Sequence, residues 1–166
     1  MLLNVKEVLQ KDVPVSLQGR LDMTPLLGSR QDLAGFSAAD AKLEAVPGTD
    51  MVVVHGSVKL DVEQRCSRCL EPVHDRLTIP FQESFTQSKE AASLDEDLVL
   101  VSEDKVDLDP YVEEAVLIGI PYIPLCSNDC KGLCPVCGTN RNTDPCSCKQ
   151  EKIDPRLAGL ADFFKE

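Results

Sequence analysis

The spacing of eight cysteines limits what this chain can fold into more than any other feature. Cys66 and Cys69 form one C-x-x-C, in CSRC. The other six, Cys126, Cys130, Cys134, Cys137, Cys146 and Cys148, crowd into LCSNDCKGLCPVCGTNRNTDPCSC. Eight thiols make two tetrahedral four-sulfur sites with none left over, and structural zinc takes four thiolates presented from short turns. CPVCGTN is the clearest piece. Its C-x-x-C turn brings two sulfurs to one metal, Pro135 stiffens the turn by fixing φ, and Gly138 is free to adopt a left-handed backbone that aims amide N–H groups at sulfur. Adding Cys146 and Cys148 gives C-x-x-C-x8-C-x-C, a closed four-thiolate zinc site. Cys66, Cys69, Cys126 and Cys130 then form a second zinc site that joins distant segments. A rival partition sets Cys66 and Cys69 with Cys134 and Cys137, and Cys126 and Cys130 with Cys146 and Cys148. Spacing alone leaves both partitions open.

Disulfides compete with metal for these thiols. The start, MLLNVKEVLQK, has no signal-peptide pattern, because Lys6 and Glu7 interrupt any apolar run, and no stretch reaches membrane-spanning length. The expected compartment is a reducing cytoplasm, where thiols hold metal instead of pairing. Cys146 and Cys148, one residue apart, also suit one metal better than two bridges. Iron–sulfur ligation uses the same residues and is the other metal option. Metal also suits a chain with no Trp, two Tyr and five Phe. A structural zinc contributes about 10–16 kcal/mol of binding free energy, comparable to the whole net stability of a domain.

Hydrophobic patterning predicts an α+β fold: an antiparallel β-meander or hairpin core, one or two helices, and a C-terminal four-cysteine zinc-binding segment. Residues 13–21 alternate as a half-buried strand, with Val13, Val15, Leu17 and Leu21 on one side. Residues 22–38 read as a loop. AKLEAV alternates again, and PGTD at 47–50 is a turn. MVVVHGSVKLDVEQ places Val58, Leu60 and Val62 on one face, with Gly56 marking a bulge. In VHDRLTIPFQESF, Leu77, Ile79 and Phe81 face one way. The expected unit is therefore a long hairpin with Cys66 and Cys69 at its tip. Residues 86–97 read as a polar loop and 98–101 as a short strand. Asp109-Pro110 opens a helix with Asp109 as N-cap, ended by Pro121 and Pro124. Asp154-Pro155 opens a second helix with an apolar stripe of Leu157, Leu160, Ala161 and Phe164. The expected division is a β-rich unit over 1–125, a zinc-binding segment over 126–150 and a C-terminal helix over 151–166.

The net charge of −11 is unevenly spread. Residues 90–114 carry one basic and ten acidic side chains, and the rest of the chain is close to neutral. That segment reads as a solvated surface or as a patch for a basic partner. Basic residues flank the cysteines: Arg65, Arg68 and Arg76 near the hairpin tip, and Lys131, Arg141, Lys149 and Lys152 near the C-terminal site. They are the candidates for RNA phosphate contacts. Acidity overall and the lack of an aromatic stacking surface argue against RNA. His55 and His74 read as surface or satisfied strand residues, since eight cysteines already fill two sites. There is no phosphate loop, nucleophile elbow or H-E-x-x-H, and no small-molecule substrate is indicated.

CSRCLEPV, the acidic stretch ending in VDLDP, IPYIPLC, CKGLCPVCGTNRN and DPRLAGL, taken in this order, resemble the YceD family of large ribosomal RNA subunit accumulation proteins. The resemblance runs from about residue 40 onward. It implies a bacterial cytoplasmic protein or an organellar relative that serves large-subunit ribosomal RNA production. It carries over the eight cysteines as metal ligands and no catalytic residue. The function expected is a non-enzymatic, zinc-stabilised factor for ribosome biogenesis that binds large-subunit ribosomal RNA or a basic ribosomal protein. The alternative is a zinc–thiolate redox regulator or a nuclease acting on precursor ribosomal RNA.

Overall fold

Two long runs of alternating residues organise the molecule. In this computed structural model, which describes residues 1–148, Val52–Arg65 and Pro72–Thr86 pair antiparallel along their whole lengths, from Val52 opposite Phe85 to Arg65 opposite Pro72. In chain order the elements are β1 (Leu2–Asn4), α1 (Val5–Lys11), β2 (Val15–Leu21), α2 (Thr24–Leu27), β3 (Leu33–Phe36), β4 (Ala39–Pro47), β5 (Val52–Arg65), β6 (Pro72–Thr86), α3 (Lys89–Leu94), β7 (Leu98–Leu100), β8 (Lys105–Asp107) and α4 (Asp109–Gly119). The main sheet runs β2-β4-β5-β6-β7, and β3 extends the β4 edge by pairing with the far end of β5. Its pairings are antiparallel except β6 with β7, which is parallel. β1 and β8 form a separate two-stranded ladder. The α+β class and the antiparallel hairpin core are as expected. None of the described helices is long and apolar enough to cross a membrane.

One face of the sheet is the core. Ala41, Leu43 and Ala45 of β4, Val54, Val58, Leu60 and Val62 of β5, and Ile79, Phe81 and Phe85 of β6 are buried on it, following the period of two in the sequence. Val5 and Val8 of α1 and Val112 and Val116 of α4 cover this face. β2 behaves as an edge strand: Val13 and Val15 stay exposed, and burial is complete only at Leu21.

Several expectations need correction. The stretch 22–38 is not one loop, because it contains α2 and β3. The polar stretch 86–97 contains α3, whose first turn is capped by the Ser88 hydroxyl accepting from the Ala91 N–H. α1 is capped in the same way by Asn4, whose side chain accepts from the Glu7 N–H. Asp109 lies inside the first turn of α4, and Leu108 holds the N-cap position. The polar contact there comes from Asp107, whose carboxylate accepts from the Asp109 N–H. The helix expected from Asp154, with Lys149 and Lys152, lies outside the described residues.

Gly56 marks no bulge. Register passes through it unbroken on both sides, with Leu43 and Phe81 as its partners. The glycine is needed because β4 comes too close: at its φ of +157°, a Cβ would lie 2.1 Å from the Lys42 carbonyl oxygen. Gly56→Ala should therefore cost about 1–3 kcal/mol, the range for backbone strain of this kind. A fall in the urea midpoint with an unchanged slope checks this, and a stability equal to the parent would contradict the close approach.

Two polar anchors set the ends of the hairpin. Thr86, fully buried, donates its hydroxyl to the Asp50 carbonyl and accepts from the Ser88 N–H. At the other end, buried Gln64 donates its amide to the Pro121 carbonyl, 3.1 Å away. This second bond holds the chain leaving α4 beside the hairpin tip.

Candidate metal centre

The β5–β6 turn, residues 66–71, is built to point two sulfurs one way. The Cys66 N–H donates to the Glu71 carbonyl and the Leu70 N–H to the Cys66 carbonyl, closing a tight loop. Leu70 takes a left-handed φ of +63° to complete it. The Ser67 N–H donates to the Pro124 carbonyl, which draws residues 124–130 across the tip. Cys126 and Cys130 arrive there from the far side.

The result is one cluster of Cys66, Cys69, Cys126 and Cys130, and a second of Cys134, Cys137, Cys146 and Cys148. Within each, all four sulfurs lie within 4.8 Å of one another. The structure adopts the contiguous-plus-bridging partition and not the rival. Its sulfur separations decide the chemistry. Cys66 and Cys130 are 3.8 Å apart, and Cys69 and Cys126 are 3.5 Å apart. A disulfide needs about 2.05 Å, whereas four sulfurs placed about 2.3 Å from a tetrahedral ion stand about 3.8 Å from each other. The donor sets therefore fit a tetrahedral metal ion, and all eight cysteines are free of disulfides. Neither cluster includes a histidine.

Titration behaviour within each cluster fits the same role. Burial works against ionising Cys66, yet the amides of Cys126, Cys69 and Arg68 outweigh it and bring its thiol down to about 6. The Asn142 side chain lowers Cys130. The Glu71 amide favours ionised Cys69, but burial and the sulfurs of Cys66, Cys126 and Cys130 push it up to about 12. Cys126 is raised by the Cys130 sulfur. In the second cluster Thr139 brings Cys137 down to about 6, and the amides of Cys137 and Val136 lower Cys134. Cys148 is pushed up to about 12 by Cys137, and Cys146 is raised by Cys134. Each cluster thus favours two thiolates, and their charge holds protons on the other two. A dication removes that repulsion and takes all four as thiolates.

The 130–142 segment links the clusters. Gly132, at φ +71°, passes so close to the hairpin tip that a Cβ would sit 3.0 Å from the Arg68 carbonyl oxygen. That oxygen accepts from the Leu133 N–H. A short hairpin follows: the Arg141 N–H donates to the Gly132 carbonyl and the Cys134 N–H to the Thr139 carbonyl. Leu133 and Asn140 bridge across it. Gly138 adopts the expected left-handed backbone, φ +75°, with its N–H on the Cys134 carbonyl.

The basic residues separate into groups. Arg68 is engaged locally, its guanidinium donating to the Asn128 and Cys130 carbonyls at 3.3 and 3.0 Å. Arg76 grips both carboxylate oxygens of Asp61. Arg65 and Lys131 are exposed and Arg141 is half-buried. His55 lies exposed on β5. His74, exposed on β6, faces Glu63 at 3.9 Å and belongs to neither cluster. The residues that sequence reasoning missed are Asn142, Thr139 and Gly132. The first two sit in the polar run GTNRN, which spacing identifies only as a loop.

The family model described as large ribosomal RNA subunit accumulation protein YceD matches residues 54–164, about two thirds of the chain and both clusters. An uncharacterized protein of Mycobacterium tuberculosis is 35% identical over 128 residues, 75% of this chain and 60% of that protein. YlbN of Bacillus subtilis, also uncharacterized, is 31% identical over 102 residues, 61% of this chain and 59% of its own length. The large ribosomal RNA subunit accumulation protein YceD of Haemophilus influenzae is 28% identical over 83 residues, 48% of each chain. The chain thus spans about three-fifths of the length of the first two relatives. No solved structure matches it. The match across the cysteine hairpin, α4 and the knuckle establishes that this chain belongs to the YceD family.

Proposed function

We infer that this chain is a zinc-stabilised, non-enzymatic factor that supports the accumulation of large-subunit ribosomal RNA by binding a basic protein of the large subunit. The observation that carries the zinc and non-enzymatic parts is the pair of complete four-cysteine clusters. Four thiolates fill the coordination shell of zinc, which suits a structural and not a catalytic ion. The link to ribosomal RNA comes from the name of the family and of its Haemophilus member.

Charge supports the choice of partner. Two of the arginines nearest the clusters, Arg68 and Arg76, are already engaged by carbonyls and by Asp61. Of the described candidates flanking the cysteines, Arg65, Lys131 and Arg141 are left for phosphate, a small set for RNA binding. On the other side, β6, β7 and α4 border a groove of about 580 Å³. Phe81 and Tyr111 line its floor, and Glu83, Glu96, Asp97 and Glu114 line its rim, with no basic residue among its lining. Burial and the nearby Glu114 raise the pKa of Glu83, as expected for a carboxylate lacking a cation. An apolar floor with an acidic rim suits a basic segment carrying long aliphatic side chains.

Purified protein should hold two zinc ions per chain by mass spectrometry, and one or none would defeat the two-cluster reading. Because loading the clusters displaces thiol protons, zinc retention should weaken as pH falls. Glu83→Lys with Glu114→Lys should weaken capture of basic large-subunit proteins by about tenfold or more, and the loss should shrink in high salt. Arg65→Glu with Lys131→Glu should leave that capture unchanged. If the second pair instead abolishes association and the material lost is ribosomal RNA, RNA is the partner.

A further inference from the structure

We propose that the two metal clusters load cooperatively, and that Asn142 is the positioning residue that couples them. Asn142 lies between Cys137 and Cys146, inside the loop that metal at the second cluster closes. Its side chain, however, serves the first cluster. The amide NH2 donates to the Cys130 sulfur at 3.3 Å, and the carbonyl oxygen accepts from the Lys131 N–H at 2.8 Å. One side chain thus stabilises a ligand thiolate of the first cluster and fixes the backbone next to it.

The posture of Asn142 depends on its own loop. Its N–H and side-chain amide both donate to the Asn140 side-chain oxygen, at 3.0 and 2.9 Å. Asn140 in turn donates to Glu71, at the foot of the β5–β6 turn. Without metal at Cys134, Cys137, Cys146 and Cys148, only these bonds, the short hairpin that joins Gly132 to Arg141 and Cys134 to Thr139, and the turn on the Asn140 carbonyl hold the stretch 138–145 against its conformational entropy. Metal at the second cluster closes the loop, presents Asn142 to Cys130 and so raises the affinity of the first. By linkage, metal at the first cluster raises the affinity of the second by the same factor. Partners one shell out from a metal typically change affinity about 10–100-fold when removed.

The inference rests on both clusters holding metal, which the zinc count above tests separately. Its own test loads the full chain with cadmium-113 and follows each ion by NMR while a chelator competes. Three variants are compared. Cys146→Ser with Cys148→Ser empties the second cluster. Asn142→Ala removes the contact. Asn142→Asp keeps the acceptor for Lys131 and the backbone N–H bond to Asn140, but removes the side-chain donor to sulfur and to Asn140. The parent should release its two ions in one concerted step. Both Asn142 variants should shift the resonance of the first cluster, weaken it about 10–100-fold and leave the second resonance in place. Breaking the second cluster should weaken the first in the parent, and add little once Asn142 is already alanine. Equal affinity at the first cluster with and without the second, or a loss on emptying the second cluster that persists undiminished in Asn142→Ala, would overturn the coupling.

Discussion

Closure of the first cluster depends on a contact between segments far apart in the chain. Cys66 and Cys130 are 64 residues apart, and Cys69 and Cys126 are 57. Between them lie β6, α3, β7, β8 and α4, a stretch that carries seven of the 22 buried residues of the main core. The hairpin tip, the exit from α4 and the knuckle must all be correctly placed before four sulfurs can share one ion. Three polar contacts do the placing: Gln64 to Pro121, Ser67 to Pro124 and Arg68 to Cys130. A metal there locks a geometry that the sheet has already nearly formed, so its binding free energy reports on the packing of β5, β6 and α4 together.

The features visible in the sequence are those with a long period or a fixed spacing. β4, β5 and β6 show through alternation, since one face is buried along their whole length. The hairpin tip shows because CSRC interrupts that alternation. The cysteine spacing marks two sets of four as metal ligands, but the choice between the two partitions needs the fold. What stays hidden is short or depends on context. α1, α2 and α3 span seven, four and six residues, too few to present a helical stripe, and two of them rely on the single side-chain caps Asn4 and Ser88. Gly56 looks the same in sequence whether it makes a bulge or admits a neighbouring strand. Arg68 beside a cysteine looks like a free cation until the Asn128 and Cys130 carbonyls are seen within its reach.

That reassignment of Arg68 changes the functional argument. A basic residue next to a four-cysteine cluster invites a phosphate, but here the guanidinium satisfies carbonyls that the turn at 128–130 would otherwise present to solvent. Arg76 is likewise matched to Asp61 across the β5–β6 ladder. Acidic charge without a basic neighbour gathers at the β6–α4 groove, where Glu83 from the sheet meets Glu96, Asp97 and Glu114 from the acidic segment. Sequence composition located most of this acidity, yet only the fold shows that it borders an apolar floor.

The metal knuckle and the groove are mechanically connected. α4 forms one wall of the groove, and its far end leads through Pro121 and Pro124 directly into Cys126. Losing the first cluster would free the stretch from 121 to 130, leaving Gln64 and the buried face of α4 to hold the helix end. The wall that carries Glu114 would then be fixed from one side only. For the basic partner proposed above, a cluster without a vacant coordination position would in this way control binding at a distance, by keeping α4 rigid against β6 so that the carboxylates of the groove hold their spacing.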